Sequence, residues 1–197
     1  MKRIEKVRIE VSGMNNTQTI KAETAAKMVL SFFQSDFFKK KINLLNGEKL
    51  RGETSSSIYN KVTNDQLYNL FMTGKEEWNE EIDYEIDLVV SRYTKTWSKV
   101  VGYIIPMKPS INVNSKYFDT MSVTRVASNF CHEWAHTLGM RHGGKYLKES
   151  LTYLINKWVE EFFSKDVPID DIKKTLVCKR TWYTLWLGKK CYIKIIK

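Results

Sequence analysis

The chain has 197 residues, of which 43% are hydrophobic and 13% aromatic, and it carries a formal net charge of +10. That length and apolar content suit one domain with a real buried core, and they exclude a low-complexity chain. No apolar run approaches the length of a membrane span, and three cysteines cannot make a disulfide framework.

The start, MKRIEKVRIEVSG, alternates charged and apolar residues, and residues 2–11 are expected to form a strand. It lacks the continuous apolar stretch of a secretory signal, so the chain as it stands reads as cytoplasmic or otherwise intracellular, export by another route aside. Residues 17–40 read as one amphipathic helix, capped by Asn16 or Thr17, with Ala25, Met28, Val29, Phe32 and Phe33 on one side. NGEKLRGETSSS is a polar loop. Gly47 and Gly52 have phosphate-loop spacing, but Glu53 stands where that loop needs lysine and would repel a phosphate. Residues 63–81 are expected to be helical and to end in Glu76, Glu77, Glu80 and Glu81, which read as a solvated acidic face. Three strand patterns follow, IDYEIDLVVSRYTK, VVGYIIP and SINVNSKYF, with Pro106 and Pro109 marking the link between the last two. A helix is expected over 122–139 and a second late helix over 150–163. The order gives an α+β fold, a small mixed sheet packed on two main helices.

All three histidines of the chain, His132, His136 and His142, fall within CHEWAHTLGMRHGG. His132 and His136 are four apart, so a helix puts both imidazoles on one face, able to grip a single ion. Glu133 then sits at the edge of that site, where a carboxylate can take a proton from a metal-activated water. Gly139 tolerates the left-handed conformation that ends a helix, and the chain can fold back to deliver His142 as a third ligand. Three protein ligands leave a fourth position open, the catalytic rather than the structural pattern for zinc.

HEWAHTLGMRH matches HExxHxxGxxH, and in this respect the chain resembles the metzincin metallopeptidases. Five fixed positions match, which chance would give in a chain this short less than about once in 10,000. The resemblance implies a single zincin-like catalytic domain, with an upper subdomain over 1–142 and a lower one over 143–197. It implies a zinc-dependent hydrolase in which His132, His136 and His142 hold Zn2+ and Glu133 is the general base, cleaving a peptide or protein substrate. It further implies that an extended peptide pairs with an edge strand before the active-site helix, here Ser110–Phe118. One feature departs from the family. The methionine turn should follow the third histidine, yet the last methionine, Met140, precedes it. The tyrosine ligand of some members has no matching position, so that role is not carried onto Tyr146, Tyr153 or Tyr183. A different zinc clan would use a downstream glutamate, for which Glu149, Glu160 and Glu161 are available.

From Lys173 onward the chain carries eight cations and no acid, leaving about +2 for everything before. Trp182, Tyr183, Trp186 and Tyr192 are interleaved. CYIKIIK alternates as a half-buried strand does, so the favoured reading is a basic outer face over inward aromatics. The alternative function is a zinc-containing binding module that uses this face for an acidic partner, nucleic acid or an anionic surface. The cysteines read as reduced, mostly buried thiols; a Cys178–Cys191 bridge would need an oxidising compartment.

Overall fold

A computed structural model describes residues 3–45, 63–79, 81–142 and 150–164 in full, together with the backbone of 176–181 and 189–195. The polar loop at 46–57, Glu80, Glu149 and the side chains of the basic C-terminal segment lie outside the described residues.

The fold is α+β with a mixed sheet. Strand β1 (Lys6–Ser12) alternates strictly, with Val7, Ile9 and Val11 buried and Arg8 and Glu10 on the other face. It pairs in parallel with β2 (Glu85–Tyr93), which pairs in parallel with β4 (Ser110–Asn114). β3 (Gly102–Ile104) lies antiparallel on the far side of β4. On the opposite edge β6 (Lys189–Ile195) runs antiparallel to β1, and β5 (Leu176–Thr181) to β6, giving the order β3-β4-β2-β1-β6-β5. β5 and β6, expected in a separate lower subdomain, thus extend the same sheet. Their register sets Cys178 opposite Ile193 and Cys191 opposite Arg180, so the two cysteines are not a directly facing pair. Cys131 is free and buried.

The sheet's apolar face is covered by α1 (Asn16–Gln34) and α5 (Val123–Thr137), which lie side by side. α6 (Leu151–Ser164) packs along α5. The helix expected over 17–40 is two helices, α1 and α2 (Asp36–Asn43), and its cap is Asn15, which forms a capping box with Gln18. Ser35 makes the break. Its hydroxyl donates to the Phe32 carbonyl and accepts from the Phe38 amide, closing one helix and opening the next. The bend lets Phe32 and Phe33 of α1 and Phe38 of α2 meet edge to face. Phe71, from α3 (Asn64–Thr73), and Trp134 of α5 complete this aromatic core.

α3 stops at Thr73 rather than continuing to 81, and its acidic tail is not a solvated face throughout. Glu76 is 1% exposed. SINVNSKYF likewise divides, β4 giving way to the single turn α4 (Ser115–Phe118) capped by Asn114. No helix among the described residues is long and apolar enough to cross a membrane.

Candidate metal centre

The centre is built on α5. Ser122 caps the helix by accepting from the Arg125 amide, and the buried face that follows ends in His132, Glu133 and His136. The helix then closes in a Schellman motif: the Gly139 amide donates to the His136 carbonyl (3.0 Å) and the Met140 amide to the Ala135 carbonyl (3.2 Å). Gly139 has φ +89°, the left-handed conformation its place in the sequence requires. Met140 turns into the core, and the reversed chain brings His142 back over the helix.

The three rings meet at their Nε2 atoms. That of His136 lies 3.2 Å from that of His132 and 3.1 Å from that of His142. The Nδ1 atoms face away, toward partners outside the cluster. His136 Nδ1 sits 2.6 Å from the Met140 carbonyl and His132 Nδ1 3.1 Å from the Thr152 carbonyl. A carbonyl only accepts, so a hydrogen on His136 Nδ1 is matched by the Met140 carbonyl and leaves Nε2 free for a metal, while His132 Nδ1 faces both the Thr152 carbonyl and, at 3.2 Å, the Asn156 side-chain nitrogen. Burial, with the neighbouring imidazoles, holds His132 down at about 3, and burial holds His136 at about 4. His142 is lowered too, by burial, and its Nδ1 faces the hydroxyls of Thr152 and Ser150. The three Nε2 atoms converge on a point that a single cation could occupy. The spacing suits one: tetrahedral ligands with metal–nitrogen bonds of about 2.0–2.1 Å stand about 3.3 Å apart. The three histidines are thus close enough to bind one metal ion.

Glu133 points to the same cleft from the next position on the helix. It is buried, and burial pushes its carboxyl up to about 7, against the opposing pull of the Asn129 side chain, whose amide donates to Oε1 at 3.4 Å. Gly102 of β3 packs directly over this pair. A Cβ at Gly102 would stand 2.8 Å from Asn129 Oδ1 and 3.2 Å from both Glu133 Oε1 and the Asn112 carbonyl, so any side chain there would make these neighbours shift. The cleft itself, of ≈ 400 Å³, is walled by residues 99–102 on one side and by Tyr153 and Asn156 of α6 on the other.

Support for the ligands comes from two directions. From α6, Thr152 holds His132 and approaches His142, while the Tyr153 ring stacks on His142 at 4.8 Å. From behind α5, the Glu76 carboxylate accepts from Trp134 Nε1 at 2.8 Å. The Glu77 amide donates to the Thr137 carbonyl at 2.7 Å, and the Glu77 side chain receives Arg141, whose guanidinium also donates to the His136 carbonyl. The short acidic segment after α3 therefore clamps the helix end from which His142 is delivered.

Two expectations change. Ser110–Phe118 is not an edge, because β3 covers the outer side of β4, and none of its residues lines the cleft. The outermost strand on this side is β3. The downstream glutamates are engaged elsewhere among the described residues: Glu160 pairs with Arg125 and Glu161 with Lys41. Asn129, Gly102, Tyr153 and the Glu76–Trp134 pair were not singled out by spacing; only Asn129, one helical turn before Glu133, carried a usable signal. No protein-family model, curated protein or solved structure matches the chain.

Proposed function

We propose that the protein is a zinc-dependent peptidase of metzincin-like design. The observation that carries this reading is the convergence of three histidine Nε2 atoms on one point, with the Glu133 carboxyl beside them in an open cleft. His132, His136 and His142 would hold the ion, and zinc there would supply Lewis acidity toward a water and a scissile carbonyl. Glu133 takes the proton from the attacking water and returns it to the leaving amine. Asn129 keeps that carboxyl on the cleft side. Tyr153 and the carbonyls of Met140 and Thr152 keep the rings turned inward.

The substrate reading rests on β3. This strand is antiparallel to β4, its backbone passes against Glu133, and its outer edge has no partner among the described residues. An extended peptide adding to that edge would lay its scissile bond across the cleft.

The test is cleavage of a diverse peptide library by the zinc-loaded protein, read by mass spectrometry beside Glu133→Gln, with metal content measured on both. Cleavage by the wild type alone, at about one zinc per chain in each, is the expected result. Failure of the wild type to bind zinc would overturn the reading.

A further inference from the structure

Nine large hydrophobic side chains are exposed among the described residues, and five of them lie between 97 and 107: Trp97, Val100, Tyr103, Ile105 and Met107. Trp97 is 96% exposed and Met107 63%. Solitary exposed apolar residues are ordinary, but five in eleven consecutive positions are a dense cluster along the chain. The charge of the segment itself is all of one sign. From Thr94 to Phe118 there is no aspartate or glutamate, while Lys95, Lys99, Lys108 and Lys116 are present.

These side chains are held outward by a built frame. Asn114, fully buried, donates to the carbonyls of Lys95 and Val100. The Tyr117 hydroxyl donates to the Ser98 carbonyl, and Lys116 Nζ to that of Thr96. Three side chains from β4 and α4 thus tie down the loop that presents Trp97. The turn at the other end is closed by the Lys108 amide donating to the Ile105 carbonyl. Its corner residue, Met107, has φ +60°, a conformation glycine adopts without strain and a long side chain does not. A strained methionine, most of it in water, is there for its side chain rather than for the turn.

We infer that the rim at 97–107 is a docking surface for an anionic lipid bilayer. Tryptophan, tyrosine and methionine suit the boundary between headgroup and acyl chain, and lysines with no neighbouring acid suit a negative surface. Lys99 and Val100 also wall the cleft, so docking sets the metal centre beside the membrane, where membrane-held chains would reach it. The inference does not depend on zinc.

The full-length protein is sedimented with vesicles of phosphatidylcholine, with and without a third of phosphatidylglycerol. Association with the anionic vesicles alone, weakening with salt, is expected. Lys95→Glu, Lys99→Glu and Lys108→Glu each lower it by at least about fivefold. Trp97→Ala lowers it as well. Met107→Gly separates function from folding: the backbone is relieved, so the thermal midpoint holds or rises while vesicle binding falls. Metal chelation leaves binding unchanged. Two outcomes would overturn the inference. One is no association with anionic vesicles, which would point the patch at a protein partner. The other is association indifferent to Trp97, Met107 and these lysines, which would move the attraction to the basic C-terminal segment.

Discussion

At Glu133 the environment and the proposed task agree. A carboxyl that must first accept and then return a proton works best when its affinity for that proton is near neutral; without a metal, burial raises this one to about 7, and a bound cation would draw it down from there. Glu133→Gln keeps the shape and the Asn129 contact but cannot take a proton. Its expected cost is about 10²–10⁴-fold in turnover, with zinc content unchanged in metal analysis. Gly102→Ala probes the same group from outside. The added methyl presses on Asn129, the Asn112 carbonyl and the Glu133 carboxyl, so the Asn129–Glu133 pair gives by a few tenths of an ångström. A misplacement on the order of 1 Å is worth about 100-fold, and this smaller shift should cost part of that. That loss should appear in kcat with metal retained, and wild-type kcat for Gly102→Ala would show that the close approach has no bearing on the chemistry.

At the scale of elements, α5 is held by a buried acid that looks out of place. Glu76 lies under the aromatic core, bonded to Trp134, with its second oxygen unpartnered among the described residues. Burial raises its carboxyl to about 8, against the pull of the Trp134 hydrogen bond. The unfolded chain releases that proton near 4.5, whereas the folded chain keeps it to about 8, so between these values the folded state binds more protons. Stability from this group is therefore full below about 4.5, falls as pH rises through the window and is flat above it. Asp87, raised to about 6 by burial and by Glu85, adds to the decline at the acid end. Glu76→Gln is expected to remove its share, worth on the order of a few kcal/mol between pH 5 and 8. Urea unfolding of both proteins at the two pH values, with metal chelated, reads the difference directly. An identical pH slope in the two would mean that Glu76 ionises in the fold as it does in the unfolded chain.

Glu76 also shows what the sequence conceals. Four glutamates in six positions have the pattern of a solvated face, and nothing local says that the helix ends before them and that one turns inward to meet a tryptophan 58 residues away. The break at Ser35 is hidden for the same reason, since apolar periodicity runs on through it and only the serine's two hydrogen bonds mark the bend. The order β3-β4-β2 is a matter of long-range pairing, which residues 110–118 do not record. The histidine segment is legible because its geometry is local. A four-residue spacing on a helix and a glycine at its end suffice to bring His132, His136 and His142 together, and the surrounding fold has only to leave that turn intact.

For the whole molecule, a metal at this site would tie α5 to the chain that returns after Gly139, beside α6. His132 and His136 belong to α5, His142 to the returning chain after Gly139, and the carbonyl that turns His132 belongs to α6. Unfolding separates all three and leaves no preformed site, so zinc binds the folded state and stabilises it by mass action. At free zinc about 100-fold above the dissociation constant the stabilisation is about 2.7 kcal/mol. For a chain of this size each kcal/mol moves the thermal midpoint by about 2–4 °C, so chelation should lower Tm by about 5–10 °C. His142→Ala supplies the control. Its third ligand is gone, the rings of His132 and His136 keep their carbonyl partners, and the midpoint should respond far less to the same zinc and chelator. If the variant shifted as much as the wild type, the ion would be held without His142, and the fourth position proposed for substrate would have to be found elsewhere.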